Sequence, residues 1–222
     1  MAKPLIQLAL DSLDYDTTVN LAKVAHRYVD IIEIGTPCLK VNGLALVKEL
    51  KARFPTKQIL VDLKTMDAGY YEAEPFFAAG AAITTVLGTS DLDTIKGVIN
   101  VANKYHAKAQ VDLINVHDKA ACARAAAAAG AHILGIHTGI DQQIAGHTPF
   151  ADLEALLKLG LGTLVSVAGG IKPSTVQQVV KAGANIIVVG GAITGANIFA
   201  DGGMTSQLIS REPYAAKPLE GR

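Results

Sequence analysis

Apolar residues along the chain fall into eight short runs, nearly all closed by a glycine or an ionisable residue. The first is Leu5-Ile6-Gln7-Leu8-Ala9-Leu10, stopped by Asp11. The second is Ile31-Ile32-Glu33-Ile34, opened by Asp30 and halted by Gly35. Ile59-Leu60-Val61-Asp62-Leu63-Lys64 follows, then Ala82 to Leu87 before Gly88. The fifth to eighth are Ala109 to Asn115, Ile133 to His137, Thr163 to Ala168 and Asn185 to Val189. Near-continuous apolar runs of this length read as strands buried on both faces, as in parallel sheets. Between them the period lengthens to that of a helix. Val19, Leu21, Ala22 and Ala25 share one stripe after a cap at Asp14 or Asp16. Leu44, Leu46, Val47 and Leu50 share another, on a helix expected over Gly43 to Arg53.

Further helices are expected over Tyr71–Ala79, Leu92–Tyr105, Lys119–Ala129 and Phe150–Leu159, with Asp91 capping the second. A looser segment is expected over Asp141–Pro149, and Pro173 suits the first turn of a helix ending near Lys181. Ala-Gly-Ala recurs at 79–81, 129–131 and 182–184, each time just before a strand, where glycine can take the left-handed conformation that ends a helix. Eight strand–helix units predict an α/β fold, a (β/α)₈ TIM barrel. A doubly wound open sheet would want a Gly-x-Gly-x-x-Gly turn after an early strand, and the chain has none. After Ile193 the pattern fails, so the eighth helix is expected to be atypical or missing, with at most a short helix over Met204–Ser210. Residues 1–211 are expected to form a single barrel domain, and 212–222, with Pro213 and Pro218, a poorly ordered tail.

Composition narrows the setting. The chain has 222 residues, half of them apolar, which suits one domain. Its formal net charge is zero, so no field draws it to nucleic acid or to an anionic membrane. The N-terminal residues run straight into a strand and carry no signal peptide, and no apolar run approaches a membrane span. Cys38 and Cys122, far apart and without metal spacing, read as thiols in a reducing compartment, hence a cytoplasmic protein.

In a barrel the C-terminal strand ends meet at one mouth, where catalytic groups sit. Those ends carry Asp11, Glu33, Asp62 with Lys64, Asp112, His137, Gly169-Gly170 and Gly190-Gly191. In an extended chain Asp62 and Lys64 point the same way, with Asp67 three residues on, where Ala68-Gly69 breaks the strand. Singly, each of these residues has a structural explanation as a cap or an ion pair. Together they do not, because burying several unpaired acids costs several kcal/mol apiece. Paired glycines after strands seven and eight free backbone amides at the usual phosphate cradle of such a barrel. The carboxylates need a cation beyond Lys64, and hard oxygen ligands suit Mg²⁺ rather than zinc. A phosphosugar with a divalent ion points to enediolate chemistry. A Schiff-base aldolase would need a neutral Lys64, whereas Asp62 and Asp67 favour the ammonium form.

These residues carry a resemblance. Gln7 to Asp11, Asp30 to Pro37, Asp62 to Gly69, Val86 to Gly88, Val111 to Val116, His137-Thr138-Gly139 and Ala168 to Ile171 resemble 3-hexulose-6-phosphate synthase, within the orotidine-monophosphate decarboxylase superfamily. The sister 3-keto-L-gulonate-6-phosphate decarboxylase shares the Asp-x-Lys-x-x-Asp motif but typically has Glu where this chain has Asp112, and Arg-Ser after the histidine. The resemblance implies a metal-dependent aldehyde-lyase that adds formaldehyde to D-ribulose 5-phosphate with Mg²⁺ as cofactor, fixing formaldehyde in the ribulose monophosphate pathway, and Mn²⁺ is expected as a substitute for Mg²⁺. It implies Glu33 and Asp62 as metal ligands and Asp11 and Lys64 as substrate and oxyanion contacts. It further implies proton transfer at C1 by His137, a polar contact from Asp112 near the reacting carbon, and phosphate binding by Gly170 and Gly191. Family members are homodimers, and the resemblance has Asp67 reaching into the partner's site. Decarboxylase-like activity, or phosphosugar binding without turnover, are the alternatives.

Overall fold

In a computed structural model, the structure describes residues 3–194, and expectations for the tail beyond them lie outside the described residues. Eight parallel strands close into a barrel in sequence order: β1 Leu5–Leu10, β2 Ile31–Ile34, β3 Gln58–Thr65, β4 Ile83–Leu87, β5 Lys108–Asp112, β6 Ile133–His137, β7 Leu164–Ala168 and β8 Ile186–Val189. Closure is direct, since Leu5 to Leu8 pair with Ile186 to Val189. The eight strands stand where the apolar runs predict them. The helices between them are α1 Tyr15–Ala25, α2 Thr36–Arg53, α3 Gly69–Ala78, α4 Leu92–Lys104, α5 Lys119–Ala128, α6 Ile140–Ile144, α7 Phe150–Leu157, α8 Val176–Ala182 and α9 Gly191–Thr194.

Strand alternation sorts the side chains into two cores. Outward-pointing residues such as Leu8, Ile32, Val61, Val111, Leu134 and Val167 join the buried helix stripes in one apolar shell. Inside the barrel, Ile31, Leu60, Ile83, Ile133 and Ile186 form a separate buried plug. Two residues further along, the inward positions become Glu33, Asp62 and Thr85 on three of these strands, Gly135 on β6 and Val188 on β8. Gln7, Gln110 and Ser166 join them, and most of this layer lines the mouth cavity. The plug therefore fixes the depth of the site, and the period of two carries functional groups above it.

Caps follow from local chemistry. Asp14, rather than Asp16, caps α1 by accepting from the Thr17 amide at 2.8 Å. The Ala-Gly-Ala sites behave as expected: Gly80, Gly130 and Gly183 have φ of 99°, 91° and 99°. The next amide then bonds back, Ala81 to the Phe76 carbonyl at 3.0 Å for example, satisfying an orphan carbonyl at the helix end.

Three expectations are corrected. The second helix begins at Thr36, and Gly43, at φ 58° and ψ −152°, breaks it in two, so the apolar stripe from Leu44 marks only its second half. The segment after β6 holds a helical turn, α6, whose five residues are too few to display a helical period. Pro173 precedes α8 within a turn in which Thr175 Oγ1 accepts from the Lys172 amide at 3.0 Å, and the helix proper starts at Val176.

Candidate active site

The C-terminal strand ends open onto a cavity of about 1140 Å³ lined by Asp11, Glu33, Asp62, Lys64, Asp112 and His137, and by Gly169, Gly170, Gly190 and Gly191. Every residue expected at the mouth is there except Asp67. Asp67 is exposed and its carboxylate accepts from the Ala68 amide at 2.7 Å.

The β3 end departs from a regular strand. Its ladder with β4 runs from Val61 opposite Thr84 to Thr65 opposite Val86, a bulge of two residues. Lys64 takes φ 47°, a conformation that costs a side-chain-bearing residue on the order of 1 kcal/mol. Its amide, taken out of the ladder, donates to Thr85 Oγ1 at 2.9 Å. That hydroxyl in turn donates to Asp62 Oδ1 at 2.7 Å. Asp62 and Lys64 do meet, as a close ion pair, but a bulge and not simple alternation joins them.

Asp62 also accepts from Thr36 Oγ1 at 2.8 Å, so its two oxygens are held from β4, α2 and Lys64. The second carboxylate near Lys64 is Asp112, at 3.5 Å, and not Asp67. Burial lowers the Lys64 pKa, but Asp62 and Asp112 outweigh it and the pKa is raised, which keeps the ammonium charged. The conclusion against a neutral lysine stands, with a different partner.

Asp112, at the end of β5, is 2% exposed. Its Oδ1 accepts from the Ile114 amide at 2.9 Å and its Oδ2 lies 2.9 Å from His137 Nδ1. Burial raises its pKa, yet the His137 hydrogen bond and the nearby charges leave it lowered, so it is a carboxylate. A carboxylate can only accept, so Nδ1 carries the imidazole proton and Nε2 is left free to take one. Burial likewise pulls His137 down, and Asp112 more than compensates, raising its pKa.

Glu33, on β2, accepts from Gln7 Nε2 at 2.6 Å. Burial first, and the adjacent Asp62 second, push its pKa up to about 8. Asp11 stands at the rim against Gly35, where a Cβ would collide with Asp11 Oδ1, so only glycine leaves room for that carboxylate. Burial raises the Asp11 pKa, with Asp62 adding to it and Lys64 and His137 opposing. Gly169, at φ 106°, lies so close to β6 that a Cβ would collide with the Thr138 carbonyl oxygen.

Thr36, Thr85 and Gln7 escaped the sequence reading. Gln7 and Thr85 had a signal, since both sit on the inward alternation, four residues before Asp11 and two after Ile83.

The matching family model is that of the orotidine 5'-phosphate decarboxylase / HUMPS family, over residues 4–198. The chain is 66% identical over 192 residues to 3-hexulose-6-phosphate synthase of Methylomonas aminofaciens, covering 86% of this chain and 92% of that one. It is 43% identical to the synthase of Mycobacterium gastri over 193 residues, covering 86% and 92%. The solved structure of 3-hexulose-6-phosphate synthase from Salmonella typhimurium superposes with a TM-score of 0.85 at 41% identity, covering 86% of this chain and 91% of that one. KGPDC from Streptococcus mutans, solved in complex with a pentose phosphate, superposes with a TM-score of 0.81 at 28% identity, over 87% and 90% of the two chains. A closed eight-strand barrel with this acid, lysine and histidine set at its mouth, and a family match spanning nearly all the described residues, lead to one conclusion: the chain belongs to the orotidine 5'-phosphate decarboxylase / HUMPS family.

Proposed function

We propose that this chain is a 3-hexulose-6-phosphate synthase, an aldehyde-lyase that joins formaldehyde to D-ribulose 5-phosphate. The observation that carries the reading is the continuous chain Asp62–Lys64–Asp112–His137 across the mouth, ending beside the Gly169-Gly170 cradle. High identity to relatives of that name supports it.

In this reading the phosphate lies against the amides of the β7 and β8 loops, and the sugar spans the cavity towards β2 and β3. His137 Nε2 takes a proton from C1, and the electron pair left behind spreads over C1, C2 and the C2 oxygen. The Lys64 ammonium, held charged, faces that oxygen and stabilises its developing negative charge. C1 then attacks the formaldehyde carbon, the C=O π pair moves onto oxygen, and His137 returns the proton to that oxygen. Atoms and protons balance with no further reactant. Asp112 holds the imidazole in the required tautomer throughout.

Glu33 and Asp62 would hold Mg²⁺. Glu33 and Asp62 are neighbouring buried carboxyls that resist being ionised together, Glu33 being pushed up to about 8 by burial and by Asp62, and a cation between them would offset that cost. Among the described residues no three His, Cys, Asp or Glu stand in metal-holding geometry, so substrate and water would complete the shell. That suits Mg²⁺, which keeps several waters and takes few carboxylates, and Mn²⁺ could replace it. The ion, when bound, supplies positive charge next to the enediolate.

A decarboxylase-like side reaction on 3-keto-L-gulonate 6-phosphate would pass through the same enediolate. A homodimer in which Asp67 completes the partner's site accounts for its turning away from its own mouth. Among the described residues no helix is long and apolar enough to cross a membrane. The test is product formation from ribulose 5-phosphate plus formaldehyde, with and without EDTA. Hexulose phosphate formed only in the metal-replete arm is expected. Binding of ribulose 5-phosphate with no product in either arm would mean a barrel that binds without turnover.

A further inference from the structure

The turn α6 sends two adjacent glutamines to different neighbours. Gln142 Oε1 accepts from the Gly139 amide at 3.2 Å, and its Nε2 donates to Asn115 Oδ1 at 3.0 Å. Asn115 is three residues past Asp112, in the loop whose Ile114 amide holds the Asp112 carboxylate. Gln143 Nε2 donates to the Thr138 carbonyl at 2.7 Å, directly after His137. Its Oε1 faces the phosphate cradle, where a Cβ on Gly170 would lie 3.5 Å away. The same Thr138 carbonyl is the atom pressed against Gly169, and the Thr138 amide bonds the Ala168 carbonyl at 3.1 Å.

One peptide, Thr138, thus touches the catalytic histidine, the cradle and Gln143 at once. A shift of the Gly169-Gly170 loop must move the Thr138 carbonyl, because no gap separates them. The carbonyl's other restraint is the Gln143 amide. Gln143 also lines the cavity, between His137 and Gly170. Nothing in the proton-transfer steps uses it.

We propose that Gln143 is a positioning residue that couples occupancy of the phosphate cradle to the placement of His137. Filling the cradle fixes the Gly169-Gly170 loop, the loop fixes the Thr138 carbonyl, and Gln143 locks that arrangement against α6. Binding energy from the remote phosphate is then realised at the reacting carbon. The inference rests on the synthase reading above for its kinetic test, and on the cradle alone for its binding test.

The experiment compares the wild type with Gln143→Met, which keeps the length and loses the donor, and with Gln143→Ala. One hydrogen bond is worth about tenfold in an equilibrium or a rate. The expected result is that KM for ribulose 5-phosphate rises and kcat falls, each by about tenfold, in both variants, with thermal midpoints unchanged. A change in KM alone would put Gln143 in the cradle only, and a change in kcat alone would put it in the histidine loop only. Either result, or no change, overturns the coupling, as does a lowered melting temperature with KM untouched. A second arm follows the His137 ring by NMR as inorganic phosphate is added. Its signals should move in the wild type and stay put in Gln143→Met. Should the wild type form no hexulose phosphate, the synthase reading fails, and this arm still decides the coupling: a His137 signal blind to phosphate in the wild type overturns it.

Discussion

His137 Nδ1 donates to Asp112 Oδ2 across 2.9 Å, and that oxygen also lies 3.5 Å from Lys64 Nζ. One carboxylate therefore faces both the histidine proposed to transfer the proton and the fixed cation. Its charge raises the His137 pKa above the ordinary imidazole value against the pull of burial. A base works only when neutral, so the acid limb of the rate profile should lie above pH 6.5, the unperturbed value. Asp112→Asn removes the charge that raises the pKa, so the limb should move to lower pH. The asparagine can also donate to Nδ1, which favours the wrong tautomer. Turnover should then fall by about 10² to 10⁴ even on the plateau. An acid limb left in place by Asp112→Asn, measured as kcat/KM against pH, would assign it to another group.

The pKa of about 8 at Glu33 makes the metal prediction sharper than loss of activity alone. At pH 7 the Glu33 carboxyl is largely protonated, and a cation must displace that proton. Mg²⁺ binding should therefore release up to one proton per site, read by titration calorimetry in buffers of different ionisation heat. Glu33→Gln should bind the ion weakly and release no proton. Proton release that persists in Glu33→Gln would place the ion elsewhere.

Lys64 should never become covalently attached to substrate. Both Asp62 and Asp112 favour its charged form, and an ammonium has no lone pair for a carbonyl. Borohydride added to enzyme and ribulose 5-phosphate should leave the intact mass unchanged. A stable adduct on Lys64 would revive the Schiff-base route.

Much of this was legible in the chain because the barrel writes its pattern plainly. Strands buried on both faces read as apolar runs, and the mouth residues are simply what those runs end in, from Asp11 to His137. Followed down from the strand ends, the period of two also marks Gln7, Thr85, Gln110 and Ser166 as inward-facing. Other features have no sequence signal. The bulge at Lys64 arises from pairing with β4, and its support, Thr85, is 21 residues away. Asp112 and His137 are 25 residues apart and meet only through the closure of β5 on β6. The resemblance named both residues, but not the hydrogen bond that makes them a unit. Asp67 follows Lys64 closely in sequence, yet the left-handed turns at Lys64 and Ala68, with φ of 47° and 50°, carry it away from the mouth.

The central claim is that His137 moves the C1 proton of a bound ketose phosphate. It is tested most directly by exchange of that proton with deuterated solvent, followed by proton NMR on ribulose 5-phosphate without formaldehyde. The wild type should exchange C1 and nothing else. His137→Ala should fold, bind the phosphosugar and exchange C1 about 10² to 10⁴ times more slowly, the usual cost of losing a general base. Exchange at the wild-type rate in His137→Ala would contradict the account, and Asp112 acting through a water would then be the base.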